Sequence, residues 1–185
     1  QPEYWAETDR IVGDAPSTLR LTLPEVYLED ADVASHIERI HKTMQQYVQD
    51  GTLRTLPAGA VLTERWSGGS APRRGIVLAV DLEAYEYTPG SASLIRPTEK
   101  TVVERIPPRL KVREGACLEL PHIMILIDDP DRRIIEPLFE KTGSFSKLYD
   151  TDLMQNGGHI TGWFIPQGKD TDAIESGLEA LCDRE

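Results

Sequence analysis

Apolar positions along the chain follow two rhythms, which predict helices interleaved with strands. Over Ala31–Asp50, Val33, Ile37, Ile40, Met44 and Val48 recur at 4-3-4-4 spacing and so share one helix face. Asp30 stands where an N-cap belongs and Gly51 where a C′ stop belongs. Pro2 as first helical residue and Gly13 as stop predict a short helix over Pro2–Val12. Alternation of Leu19, Leu21 and Leu23 with polar partners predicts a strand over Thr18–Leu23, closed by Pro24. Ile174, Leu178 and Leu181 predict a final helix over Thr171–Cys182.

Ala60–Trp66 and Gly75–Leu82, separated by the turn-rich Ser67–Arg74, predict a hairpin. Gly75–Leu82 is nearly all apolar, which predicts a central strand. His122–Ile127 predicts a second buried strand, ended by Asp128-Asp129-Pro130, with a helix over about Asp131–Lys141 disturbed by Pro137. Lys147–Leu153 and His159–Ile165 flank Asn156-Gly157-Gly158, the strongest hairpin signal in the chain. A helix start at Thr101–Arg105 is broken by Pro107-Pro108, and a fresh helix is expected from Pro108 to about Glu114. The order predicts an α/β (α+β) fold, a mixed β-sheet with hairpins flanked by helices, in a single domain over residues 1–185.

Charge narrows the function classes. Twenty Lys+Arg against 31 Asp+Glu give a net charge of −11, which argues against bulk nucleic-acid binding. The longest apolar run, Ile123–Ile127, falls far short of the ~20 residues of a membrane span, so no membrane partner is expected. Cys117 and Cys182 share no ligand spacing, and a reducing, cytoplasmic setting is the simpler expectation. Gln1–Ile11 is polar and carries three acids, unlike a signal peptide. The chain opens without Met, so it is expected to be processed or cut from something longer. His36 and His41 lie five apart on the predicted helix, which separates them around the axis and suits surface residues rather than a metal pair.

Three segments carry candidate chemistry. Arg96–Arg113 holds six basic residues (Arg96, Lys100, Arg105, Arg109, Lys111, Arg113) against Glu99 and Glu104. Its arginines are forked donors suited to phosphate or carboxylate, and Thr98 and Thr101 add hydroxyls. The alternative is an exposed segment that balances acidic neighbours. In the second, the strand expected at His122–Ile127 would deliver Asp128 and Asp129 at its C-terminal end, where many α/β proteins hold Mg²⁺ beside phosphates. No GxxxxGK[ST] accompanies it, and the competing reading is an acidic turn whose aspartate caps the next helix. The third is Gly157-Gly158-His159-Ile160-Thr161-Gly162, where glycines admit phosphate to the backbone and His159 offers an acid, base or ligand; a plain Gly-rich hairpin is the commoner explanation for such a string.

Gln1–Trp5, Gly13–Tyr27, Ser93–Arg109, Glu119–Pro130 and Asp152–Trp163 together resemble the domain of unknown function 1015 family, a widespread prokaryotic group. The resemblance covers nearly the whole chain. It implies a longer full-length protein, with this chain as its N-terminal half and the C-terminal half as a partner in the site. A Cys-Asp-Gln-Tyr-Thr-Ser segment before Gln1 and an Asp-Gly-Asn-His or Asp-Gly-His-His motif after Glu185 belong to that longer pattern. The latter motif is similar to that of ParB/sulfiredoxin-like proteins, which implies nucleotide use and ATP- or ADP-dependent phosphorylation of free serine. The resemblance further implies ATP and Mg²⁺ as cofactors and a nucleotide or phosphorylated small molecule as ligand. Thr98-Glu99-Lys100-Thr101 matches a His-Glu-x-Thr string of shorter relatives, with Thr98 in place of His. Glu99 would then be the general base, and Arg96, Arg105 and Arg109 would neutralise phosphate oxygens. The competing function is a non-catalytic ligand-sensing or protein-interaction module using the same basic segment.

Overall fold

The first helix, α1, spans Pro2–Val12 as its punctuation predicts. Pro2 lacks the N–H that a first turn leaves unsatisfied, and Gly13 takes a φ of +55° just past the last turn. The structure is a computed structural model that describes residues 2–69, 71–81, 83, 85–86, 88–91, 93, 95, 102–120 and 122–182. They fall into two units, residues 1–55 with 99–125 and residues 56–98 with 126–185.

In the first unit the expected strand over Thr18–Leu23 is instead a 3-10 helix, Thr18–Leu21. Ser17 starts it, its Oγ accepting the Leu19 N–H at 3.2 Å. Leu21 is buried and Leu23 half-buried, so the Leu alternation marks a tight turn feeding one core rather than a ladder. A second 3-10 turn, Glu25–Tyr27, leads to α2, Val33–Gln49, whose N-cap is Asp32 rather than Asp30. Ile40 and Met44 are buried as the periodicity requires, but the next inward residue is Tyr47, not Val48. The Tyr47 hydroxyl accepts the Ser17 N–H at 3.1 Å, tying α2 back to the 3-10 helix. Gly51, at φ +80°, ends the helix as expected.

A 3-10 turn, Val103–Arg105, runs directly into α3, Ile106–Arg113. Pro107 and Pro108 do not break it, because both sit in the first turn where a missing N–H costs nothing. Val112, Ala116, Leu118 and Leu120 pack on Leu21, Ile40, Met44 and Tyr47 to make this unit's core.

The second unit is built on two hairpins. Strands β1 (Gly59–Trp66), β2 (Arg73–Val77), β3 (Ser146–Leu153) and β4 (Gly158–Pro166) form one sheet in the order β2-β1-β4-β3, antiparallel throughout. Helices packed on a hairpin-built sheet are the α/β (α+β) arrangement that the sequence pattern predicts. The segment expected as a central strand, Gly75–Leu82, contributes instead to the edge strand β2, which stops at Val77. The centre falls to β1 and β4, whose Ala60, Leu62 and Ile165 are buried against Ile134, Leu138 of α4 (Glu136–Phe139) and Ile174 of α5 (Lys169–Cys182). Each such side chain contributes about 1.5–3 kcal/mol by leaving water.

Two other expectations fail here for visible reasons. His122–Ile127 is no buried strand: it joins no ladder, and Ile123, Met124 and Leu126 are 84%, 72% and 77% exposed. The helix over Asp131–Lys141 contracts to α4 because Arg132 takes a left-handed φ of +53°, which no right-handed helix can include. Pro137 then lies in the first turn of α4. Among the described residues no helix is long and apolar enough to cross a membrane.

The β3–β4 turn is specified by its backbone. Gln155 and Asn156 both take left-handed φ, +55° and +57°, with the Gly157 N–H bonded to the Met154 carbonyl at 3.0 Å. Gly158 follows at φ +92°, and a Cβ there would overlap the Trp66 carbonyl oxygen of β1. Gly158→Ala is therefore expected to destabilise the chain by more than about 2 kcal/mol in urea unfolding. Gly90→Ala, at φ +85° in open space, should lose only about 1–2 kcal/mol. Equal losses would show that the contact with β1 adds nothing.

Candidate functional site

The described part of the basic segment lies on α3, and it faces a cleft of about 740 Å³ in the first unit. The helical spacing of four places Arg109 and Arg113 on one side of α3, and both line this cleft. Its walls are apolar, drawn from Leu21, Leu23, Met44, Val112, Leu118 and Leu120. Glu25, Glu29, Glu104 and Glu119 also line it. Arg113 is spent on Glu119, Nη2 to Oε1 at 3.1 Å. Arg109 makes no ion pair or hydrogen bond among the described residues, so its guanidinium remains available at the mouth.

The height of α3 over the cleft is set by His41. Its Nε2 donates to the Val112 carbonyl at 2.7 Å, satisfying a last-turn carbonyl that the helix itself leaves open. His41 is thus half-buried and structural, not the free surface residue its spacing suggests. His36 is likewise engaged: its ring stacks on Tyr27 at 4.6 Å and its Nδ1 accepts from Arg39 Nη2 at 2.8 Å.

Of the other residues singled out from the sequence, Arg96, Thr98, Glu99 and Thr101 lie outside the described residues. Arg105 ends the 3-10 turn before α3. Asp128, Asp129 and His159 belong to the second unit. Asp129 closes the turn that precedes α4 rather than capping that helix: its Oδ2 accepts the N–H groups of Arg133 at 2.7 Å and Ile134 at 2.9 Å, whereas the α4 N-cap, Ile135, has no side-chain cap. Its Oδ1 is buried without a partner among the described residues, and Asp128 is exposed. Among the described residues no three His, Cys, Asp or Glu side chains cluster as metal ligands, so these positions offer Mg²⁺ no preformed cage.

His159 sits on β4 directly across from Asp152 of β3 and Trp66 of β1. Its Nδ1 lies 2.7 Å from Asp152 Oδ1 and its Nε2 2.7 Å from Asp150 Oδ1. Only an imidazolium donates from both nitrogens, so the carboxylates of Asp152 and then Asp150 hold its pKa above the ordinary histidine value. Lys147, and then His159, hold the Asp150 carboxyl below its ordinary value. Both ring nitrogens are thus engaged by carboxylates, with Lys147 as the second cation on Asp150. Gly162, the last glycine of that string, seats the Tyr149 ring, which leaves no room for a Cβ.

Sequence reasoning named Glu104 within the basic segment but missed Glu25, Glu29 and Glu119, which carry no motif and converge only through the fold. Asp150 and Asp152 were findable: in a hairpin with Leu153 opposite Gly158, alternate β3 residues face His159 and Thr161.

A family model described as protein of unknown function (DUF1015) matches residues 1–182. No curated protein and no solved structure matches the chain.

The His159 cluster fixes a pH dependence. A raised folded pKa contributes stability that is complete below the unfolded histidine value and is lost as pH rises through the folded one. It is lost again in acid, as pH falls through the depressed Asp150 value. Relative to His159→Gln, the chain should therefore show its largest stability advantage between the carboxylate and histidine ranges, with the advantage shrinking toward alkaline pH. Histidine NMR titration should also place His159 above the ordinary histidine value, and Asp152→Asn should lower it. A His159 value unmoved by Asp152→Asn contradicts the pairing.

Proposed function

Taking as premise that the chain belongs to the family of proteins of unknown function (DUF1015), we propose that its first unit binds a phosphate-bearing small molecule, a nucleotide in the first instance, in the α3 cleft. One observation carries this reading: Arg109, without an ion pair among the described residues, lines a largely apolar-walled cavity of about 740 Å³. A purine or similar ring suits the Leu21, Met44 and Val112 walls, while the guanidinium fork suits phosphate oxygens. Glu25, Glu29 and Glu104 oppose a bare polyanion in the same cavity, so the nucleotide is expected as its Mg²⁺ complex, the metal arriving with the phosphates. The reaction this binding serves, in our reading, is phosphoryl transfer to a small hydroxyl substrate such as serine, with Glu99 of the first unit as general base and Thr101 and Arg105 of the same unit adding phosphate contacts.

A second reading, a non-catalytic interaction module, is favoured by the exposed apolar run Ile123–Leu126. The partner it would take is a protein surface, a further half of the same chain included, and it requires neither nucleotide nor turnover.

Melting curves with ATP and Mg²⁺ separate the two. A nucleotide at 100 times its Kd stabilises by about 2.7 kcal/mol. Arg109→Glu should abolish that shift, since losing a charge-assisted contact alone weakens binding by about tenfold or more. Arg113→Gln should weaken it less, because Arg113 is already paired. A shift that survives Arg109→Glu sinks the cleft assignment, and no shift at all with the chain as it stands favours the interaction module.

A further inference from the structure

We propose that a second cavity in the first unit, about 240 Å³, is a binding site for a small oxyanion, carboxylate or phosphate, held by Arg39 and Arg20. The cavity lies among α1, the Thr18–Leu21 turn and α2, and it uses neither Arg109 nor Arg113. It goes beyond the nucleotide reading and stands without it.

Two guanidiniums face this small space, and neither has a carboxylate partner among the described residues. Arg20 is half-buried and aimed by the backbone, donating from Nε to the Ala15 carbonyl at 3.3 Å and from Nη2 to the Gly13 carbonyl. These carbonyls fix the fork without neutralising it, and the remaining N–H donors stay open. Arg39 is aimed differently. One Nη2 proton goes to Nδ1 of His36, whose ring is stacked on Tyr27 and whose Nε2 lies 3.5 Å from Asp30 Oδ2. His36 thereby serves as a bracket for Arg39. In a chain with 31 carboxylates against 20 Lys+Arg, two guanidiniums held by carbonyls and an imidazole, with no carboxylate partner among the described residues, suit an external anion.

The other walls set the ligand's size and shape. Asp9 is the one carboxylate on the cavity, which leaves it with a net charge near +1 and selects against highly charged polyanions. Trp5 and the Tyr27–His36 pair offer flat faces to a planar or apolar body. A volume of about 240 Å³ admits a molecule of the size of a simple aromatic acid or inorganic phosphate and is too small for a nucleotide. Thr22 and Leu23 line both this cavity and the α3 cleft, so the two sites share a wall.

Calorimetric titration of the intact chain with inorganic phosphate and with benzoate tests the assignment and tells phosphate from carboxylate. At least one probe should bind, with affinity reduced about tenfold or more in Arg39→Gln and unchanged in Arg54→Gln, an exposed arginine that lines neither cavity. Arg39 is exposed on α2, and glutamine keeps helix propensity, so the melting temperature of Arg39→Gln should stay near that of the parent chain. As a second readout, the bound probe should shift the His36 ring resonances, because His36 holds Arg39. Binding of neither probe overturns the proposal, as does a probe whose binding falls in Arg109→Glu but not in Arg39→Gln. Because Mg²⁺-ATP binding is read through Arg109 and probe binding through Arg39, either assignment can fail without the other.

Discussion

A single hydrogen bond, His41 Nε2 to the Val112 carbonyl at 2.7 Å, joins residues 71 positions apart and fixes where α3 lies on α2. With only eight residues and two prolines, α3 has little intrinsic helicity to stand on. Its place comes from Val112 in the core and from His41 closing its last turn. Everything attributed to the cleft follows from that anchoring: the apolar walls meet beneath the helix, and Arg109 is carried to the mouth one turn before the anchored carbonyl. The same histidine would read as an idle surface residue in a list of spacings.

Across the molecule, what distinguishes the candidate cations is how they are held. Arg10 pairs with Glu7, Arg74 with Glu64, Arg113 with Glu119 and Lys141 with Asp170, each satisfied by a carboxylate. Surface pairs of this sort contribute about 0–1 kcal/mol and say little about function. Arg20 and Arg39 are held by carbonyls and an imidazole, and Arg109 by nothing among the described residues. His159 is the reverse case, a cation with both ring nitrogens on carboxylates, Asp150 and Asp152.

Elements whose pattern and punctuation agreed were legible from sequence. α1 matches its predicted bounds, α2 shifts by two residues at its start, and both hairpins form where Gly-rich turns interrupt alternating strands. Misreadings occurred where an apolar pattern had more than one physical cause. Leu19, Leu21 and Leu23 alternate like a strand, yet Ser17 caps a 3-10 turn there. Ile123–Ile127 is apolar like a buried strand, yet finds no ladder partner among the described residues. Gly75–Leu82 reads as central, but an edge position is a matter of partners, which one strand's composition does not contain. The basic segment was visible as a charge anomaly, and Arg109 and Arg113 do meet at one cleft. Glu25, Glu29 and Glu119, which temper that cleft, and the arginine brackets built by His36 and by the Gly13 and Ala15 carbonyls, arise from contacts with no linear signature.

The central claim, that the cleft beneath α3 is the ligand site, is tested most directly by mapping backbone amide shifts of the isotope-labelled chain during titration with Mg²⁺-ATP. The account predicts saturable shifts concentrated on Leu21, Leu23, Met44, Arg109, Val112 and Leu118. Saturable shifts confined to the second unit, centred on His159 or Asp129, would contradict it.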